Sequence, residues 1–99
     1  MKLNVFIFFN TVLNCYTTPT FDDHEPQVAA TQLKRSIIYE KDTAKVVPYK
    51  NLKMYQLGTF DDETGKLDVF PESVLLLDCT EVVKGRGDYV ESKPIERKA

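Results

Sequence analysis

The sequence predicts a small α+β fold, a two-layer sandwich in which one helix packs on a mainly antiparallel sheet of about four strands. The expected order is β-α-β-β-β. Three observations carry that expectation. Residues Lys2 to Asn10 are rich in strand-forming residues and apolar on both faces. Residues Gln27 to Tyr39 place apolar side chains at helical spacing. Between two further strand-like runs lies Asp61-Asp62-Glu63-Thr64-Gly65, a short polar stretch ending in glycine, which reads as a hairpin loop.

Each element follows from its residues. In the first strand Leu3, Val5, Ile7 and Phe9 fall on one face and Phe6 and Phe8 on the other, the pattern of a central strand. A basic residue before an apolar run also resembles a leader peptide. Asn4, Asn10 and Asn14 interrupt the run, however, and the residue before Cys15 is Asn rather than a small one, so the strand is expected. Thr17 to Thr20 is loop material around Pro19. Asp22, Asp23 and Glu25 then lead into Pro26, acids and a proline suited to a helix start. Ala30, Leu33 and Ile37 form the helix's apolar stripe, widened by Ala29 and Ile38, with Lys34 and Arg35 toward the other side. Glu40 to Asn51 is a polar connection, with a short extended piece expected at Val46-Val47. Leu52 to Phe60 and Lys66 to Phe70 are the hairpin strands, Gly65 taking the left-handed turn conformation. Leu57, Gly58, Phe60, Asp61, Asp62 and Gly65 read as its structural residues. Pro71 and Glu72 are expected to turn the chain into a last strand over Val74 to Val83. Residues 1–83 are thus expected to form one globular domain and residues 84–99 a flexible charged tail.

Composition narrows the functional classes. The chain has 99 residues, 42% of them hydrophobic and 28% charged, which argues against wholesale disorder. No run approaches the ~18 apolar residues of a spanning helix, so no membrane partner is expected. The net charge of −2 argues against a generally basic protein, but the charge is unevenly spread. Residues 34–53 carry +4, from Lys34, Arg35, Lys41, Lys45, Lys50 and Lys53 against Glu40 and Asp42; residues 54–83 carry −6.

No catalytic constellation is recognisable. His24 is the only imidazole and sits in an exposed, acidic lead-in. The four glycines, Gly58, Gly65, Gly85 and Gly87, fit no phosphate-loop pattern. Asp61-Asp62-Glu63 lacks the alternation of a calcium loop, and Cys15, Cys79 and His24 cannot supply the four ligands of a zinc site. No metal, cofactor or catalytic residue is therefore expected. The two cysteines are expected to be free, buried thiols, as in a cytosolic chain. Arg86-Gly87-Asp88 matches an adhesion tripeptide by chance. The basic segment is the one feature that suggests a ligand. Its lysines lie near Tyr39 and Tyr49, and cations that track phosphates beside rings that stack on bases suit single-stranded nucleic acid.

The stretch Tyr55-Gln56-Leu57-Gly58-Thr59-Phe60-Asp61-Asp62-Glu63-Thr64-Gly65-Lys66-Leu67 resembles the LGEFDDxTGxL/F block of the small nonstructural protein of gokushovirus-type microviruses, single-stranded DNA phages of bacteria. The order of elements over residues 2–83 is similar as well, although the connector reads Val47-Pro48-Tyr49-Lys50-Asn51 where the family has HPEDY. The resemblance implies a noncatalytic accessory protein of the infected bacterial cytoplasm, acting in genome synthesis or packaging. The expected partner is single-stranded DNA, or a viral or host replication protein bound to it. The alternative is a protein-interaction module without DNA binding, either a homo-oligomer through an open sheet edge or an adaptor.

Overall fold

A computed structural model describes residues 1–86. It has the expected α+β architecture: one main helix, and a short second one, on a curled and mostly antiparallel sheet. The strands are β1 (Lys2–Asn10), β2 (Cys15–Tyr16), β3 (Thr20–Asp22), β4 (Leu52–Asp61) and β5 (Lys66–Asp78); the helices are α1 (Pro26–Tyr39) and α2 (Cys79–Lys84). The order across the sheet is β2-β1-β4-β5, with β3 also paired to β1. β1 is therefore central, as its two apolar faces require.

Four local expectations are corrected. The stretch after β1 does not stay a loop. Asn14, at φ 56°, helps turn the chain back on itself, and β2 and β3 pair along the free edge of β1. Val46-Val47 is not extended: residues Thr43–Lys45 and Val47–Tyr49 form two 3-10 turns, and Val46 is driven into the core at 1% exposure. Pro71 and Glu72 do not turn the chain, because β5 runs through them as an edge strand, where a proline lacks only a solvent-facing donor. The segment read as a third strand to Val83 divides at Asp78, whose carboxylate accepts from the amides of Thr80 and Glu81 and starts α2.

The core lies between α1, α2 and one face of the sheet. Phe6 and Met54 pack on Ala30, while Ile37, Val46, Cys79 and Val83 form an adjoining cluster that Phe8, Leu33 and Tyr49 flank. Of the residues assigned above to the tail, Lys84 is the last of α2, Gly85 caps it and Arg86 is buried; the remaining tail residues, 87–99, lie outside the described residues. Both cysteines are free, but Cys15 is exposed and only Cys79 is buried. Cys15 stands at the end of a two-residue strand on the sheet's periphery, where no layer covers it. Burial pushes the Cys79 thiol up to about 12.

Two glycines of the hairpin block meet different backbone demands. Gly65 has φ +76° and lies in open space. Gly58 meets a different demand: a Cβ there would stand 2.0 Å from the Asp68 carbonyl oxygen. The β4 register shifts on both sides of this point. β1 steps from Val5 to Phe6 while β4 steps from Gly58 to Gln56, and β5 steps from Val69 to Val74 over the same stretch. Leu57 and residues 70–73 are thereby left out of the ladder, and the two backbones crowd at Gly58. Phe60 packs edge-on against Phe21, with ring centroids 5.1 Å apart. Asp61 accepts from the Glu63 amide, which holds its carboxyl below the usual range, and Asp62 lies 2.8 Å from the Met1 amino group.

Candidate nucleic-acid interface

The acidic tip of the β4–β5 hairpin lies far from the basic segment. The tip holds Asp61, Asp62 and Glu63; the hairpin's base, about 27 Å away at the rise of a strand, adjoins the end of α1, the 3-10 turns and α2. The basic residues from 34 to 53 belong to that base and to α1.

At the C-terminal end of α1 a groove of about 680 Å³ opens against α2. Ile38 and Val82 supply apolar surface within it, and Lys34, Tyr39, Lys41 and Arg86 are among its other lining residues. Tyr39 is 73% exposed. Helical spacing puts Lys34 and Ile38 on one side of α1, and the chain leaves the helix in an extended conformation at Glu40, which carries Lys41 to the same groove. Glu40 and Glu81 also line the groove, and each is engaged locally, Glu40 by the Asp42 amide and Glu81 by Lys84. The Arg86 guanidinium donates to the Ile37 carbonyl and so sets a positive charge at the helix C-terminus, where it is favoured.

The structure divides the cations into two groups. Lys66 lies 3.8 Å from Asp68, Lys84 lies 3.9 Å from Glu81, and the terminal amine is held by Asp62 and Glu63. By contrast, none of Lys34, Arg35, Lys41, Lys45, Lys50 and Lys53 has a carboxylate within ion-pair distance among the described residues.

The eight residues proposed from sequence do not all converge. Lys34, Lys41 and Tyr39 share the groove. Lys45 lines an adjacent hollow with Ser36 and Glu40, and Arg35 lines another, further back on α1, with Val28 and Thr31. Lys50 ends the second 3-10 turn and is half-buried. Lys53 is paired across the strands with Phe9 and Asp78, on the sheet face away from α1. Tyr49 is corrected outright: its ring is half-buried, edge-on to Phe8 at 6.5 Å and packed on the Ile37–Val46 cluster, so it is a core residue and no stacking surface. Sequence reading missed Arg86, which sits in a charged segment with no periodicity, and Val82, taken for a strand residue. Ile38 had been given to the core, yet it is 40% exposed in the groove.

A second polar cluster lies at the start of α1. The ligand atoms of Asp22, Asp23 and His24 fall within 4.8 Å of one another. Here the His24 Nδ1 is 2.5 Å from Asp22 Oδ1, and the His24 amide donates to the same carboxylate. The Asp22 carboxylate raises the imidazole above its ordinary value; the His24 amide, followed by its ring, lowers the carboxylate. The three side chains are exposed and satisfy one another, which makes them a loop-to-helix junction.

Comparisons with family models, with curated proteins and with solved structures gave no match. Among the described residues no helix is long and apolar enough to cross a membrane.

Proposed function

We propose that the protein is a noncatalytic accessory protein that binds single-stranded DNA through the basic end of α1. One observation carries this reading: among the described residues the cations of 34–53 have no carboxylate within ion-pair distance, and two of them line an apolar groove with the exposed ring of Tyr39. Phosphates would be held by Lys34 and Lys41, with Lys45 beside them and Arg35 extending the track. Tyr39 offers a ring face to a base, and the Ile38–Val82 surface accepts its neighbour. The acidic hairpin tip, far from this end, orients the molecule toward a polyanion by repulsion at one pole and attraction at the other. The resemblance of residues 55–67 to the microvirus nonstructural proteins points to the same ligand and to the bacterial cytoplasm.

The test is fluorescence anisotropy with a labelled oligonucleotide over a salt series. Two to four phosphate contacts on a single strand give a log–log slope of about −1.4 to −2.8. Lys34→Ala and Lys41→Ala each reduce the slope by about 0.7. Absence of binding at low salt, or an affinity indifferent to salt, refutes the reading.

A further inference from the structure

The groove at the end of α1 is walled on one side by the last described residues. Val82, Gly85 and Arg86 line it, and from Arg86 the chain runs on through residues 87–99, which lie outside the described residues. Ile38, Tyr39 and Val82 give the groove apolar and aromatic surface, and Lys34 and Lys41 bring a cation from either side of Tyr39 along the chain. Neither lysine has a carboxylate within ion-pair distance among the described residues. The sequence just past Arg86 is the complement of this pattern. Gly87 is followed by Asp88-Tyr89-Val90-Glu91, in which two acids bracket an aromatic and an apolar residue. The rest of the tail, residues 92–99, is basic on balance, with Lys93, Arg97 and Lys98 against Glu96. The tail's negative charge is thus concentrated next to the groove.

We propose that residues 88–91 dock in the groove of their own chain, so that a nucleic acid must displace them; the displacement rests on the DNA reading above, the docking does not. The tether selects the occupant. The segment begins two residues past a groove-lining residue, and a link that short gives an effective concentration of the order of millimolar. The same segment of a second chain is present only at the protein's own concentration, and so competes poorly. Length and charge agree with this placement. Asp88 and Glu91 are three residues apart, at most about 10 Å of extended chain. Between Lys34 and Tyr39 α1 rises about 7.5 Å, and Lys41 lies two residues further on, so the two pairs of charges have similar spans. Tyr89 and Val90, between the acids, then meet Ile38 and Val82. Anion, ring and anion in this order copy what a dinucleotide would offer the same surface. Surface ion pairs are individually weak, so the contact is a brake on ligand binding and yields to a polyanion with more phosphates than the segment has carboxylates.

NMR of the full chain without DNA tests the docking. NOEs are expected between the Tyr89 ring and the methyls of Ile38 or Val82, with intensities per chain that do not change on dilution. Asp88→Asn together with Glu91→Gln keeps the shape of both side chains and removes their charge; it is expected to weaken these NOEs and to shift the amides of Lys34 and Lys41. Tyr89→Ala tests the displacement, because it releases the segment without altering any charge. It is expected to bind a labelled oligonucleotide about two- to tenfold more tightly than the parent, as a larger fraction of grooves stands open. Absence of the Tyr89 NOEs, NOEs that fade on dilution, or Lys34 and Lys41 amides indifferent to the charge variant overturns the docking. An oligonucleotide affinity of Tyr89→Ala equal to or below the parent's overturns the displacement. If no form of the protein binds the oligonucleotide while the Tyr89 NOEs are present, the DNA reading fails and the docking stands. Salt-dependent binding without those NOEs is the converse, so the two readings fail separately.

Discussion

Replacing Gly58 with alanine tests whether β4 and β5 must touch backbone to backbone where their register shifts. A Cβ at this position would lie 2.0 Å from the Asp68 carbonyl oxygen, 3.0 Å from the Asp68 carbonyl carbon and 3.0 Å from the Val69 Cα. All three atoms are backbone, so no side-chain rotation relieves the clash. The strands must part by about an ångström, at a cost of about 1–3 kcal/mol for overpacking. One or two neighbouring ladder bonds lengthen, at about 1 kcal/mol each. The smaller entropy of the unfolded alanine chain returns only about 0.4–1 kcal/mol. The net loss is about 2–4 kcal/mol, read as the change in urea midpoint at constant m-value, or as a fall in Tm of roughly 10–25 °C. Gly65→Ala is the internal contrast. Its φ is +76° and nothing lies within 4 Å, so it pays backbone strain alone, about 1–2 kcal/mol. Equal stability of Gly58→Ala and the parent, or a larger loss at Gly65 than at Gly58, would refute the argument.

Three further outcomes are expected. Tyr39→Ala keeps the parent's unfolding midpoint but weakens oligonucleotide binding by about 1–3 kcal/mol, the value of one stacked base; Tyr49→Ala does the reverse, lowering stability through lost packing on Phe8 and Val46. The His24 ring titrates above 6.5 by NMR, and Asp22→Asn returns it toward that value. The stabilising contribution of the pair is full below the unfolded imidazole value for His24 and fades as pH rises through the raised folded value. For Asp22 it fades as pH falls through the lowered carboxyl value, so it is present only between these limits. Finally, a thiol reagent titrates one cysteine per native chain, the exposed Cys15, and reaches Cys79 only on unfolding; two rapid equivalents from the native protein would contradict the buried placement.

The parts of the fold that were legible in sequence are those where local chemistry and tertiary context agree. β1 reads as central because both of its faces are apolar, and Gly65 reads as a turn because only glycine takes φ +76° without cost. The stripe of Ala30, Leu33 and Ile37 reads as a helix face for the same reason. What was missed depends on partners distant in the chain. β2 and β3 have two and three residues and no periodicity of their own; pairing with β1 makes them strands. Pro71 reads as a break unless β5 is known to be an edge. Val74 to Val83 is a short apolar run that a strand or a helix can use, and Cys79 and Val83 already sit at helical spacing. The Asp78 cap decides the boundary, and its role appears only once the amides of Thr80 and Glu81 point at it.

The candidate site shows the same division in sharper form. Charge counting located the +4 segment, but counting cannot say which cations already have partners. Among the described residues Lys66 and Lys84 have acids within ion-pair distance, whereas the cations of 34–53 have none. Nor can composition separate Tyr39 from Tyr49, since both are tyrosines next to lysines. The difference is geometric: the first ends α1 on its outer side, and the second follows a proline in a 3-10 turn that folds back under the helix. The small size of the chain sharpens the consequence. Among the described residues nine hydrophobic side chains are buried, and in so thin a core the half-buried ring of Tyr49 is needed for packing while that of Tyr39 is left to solvent.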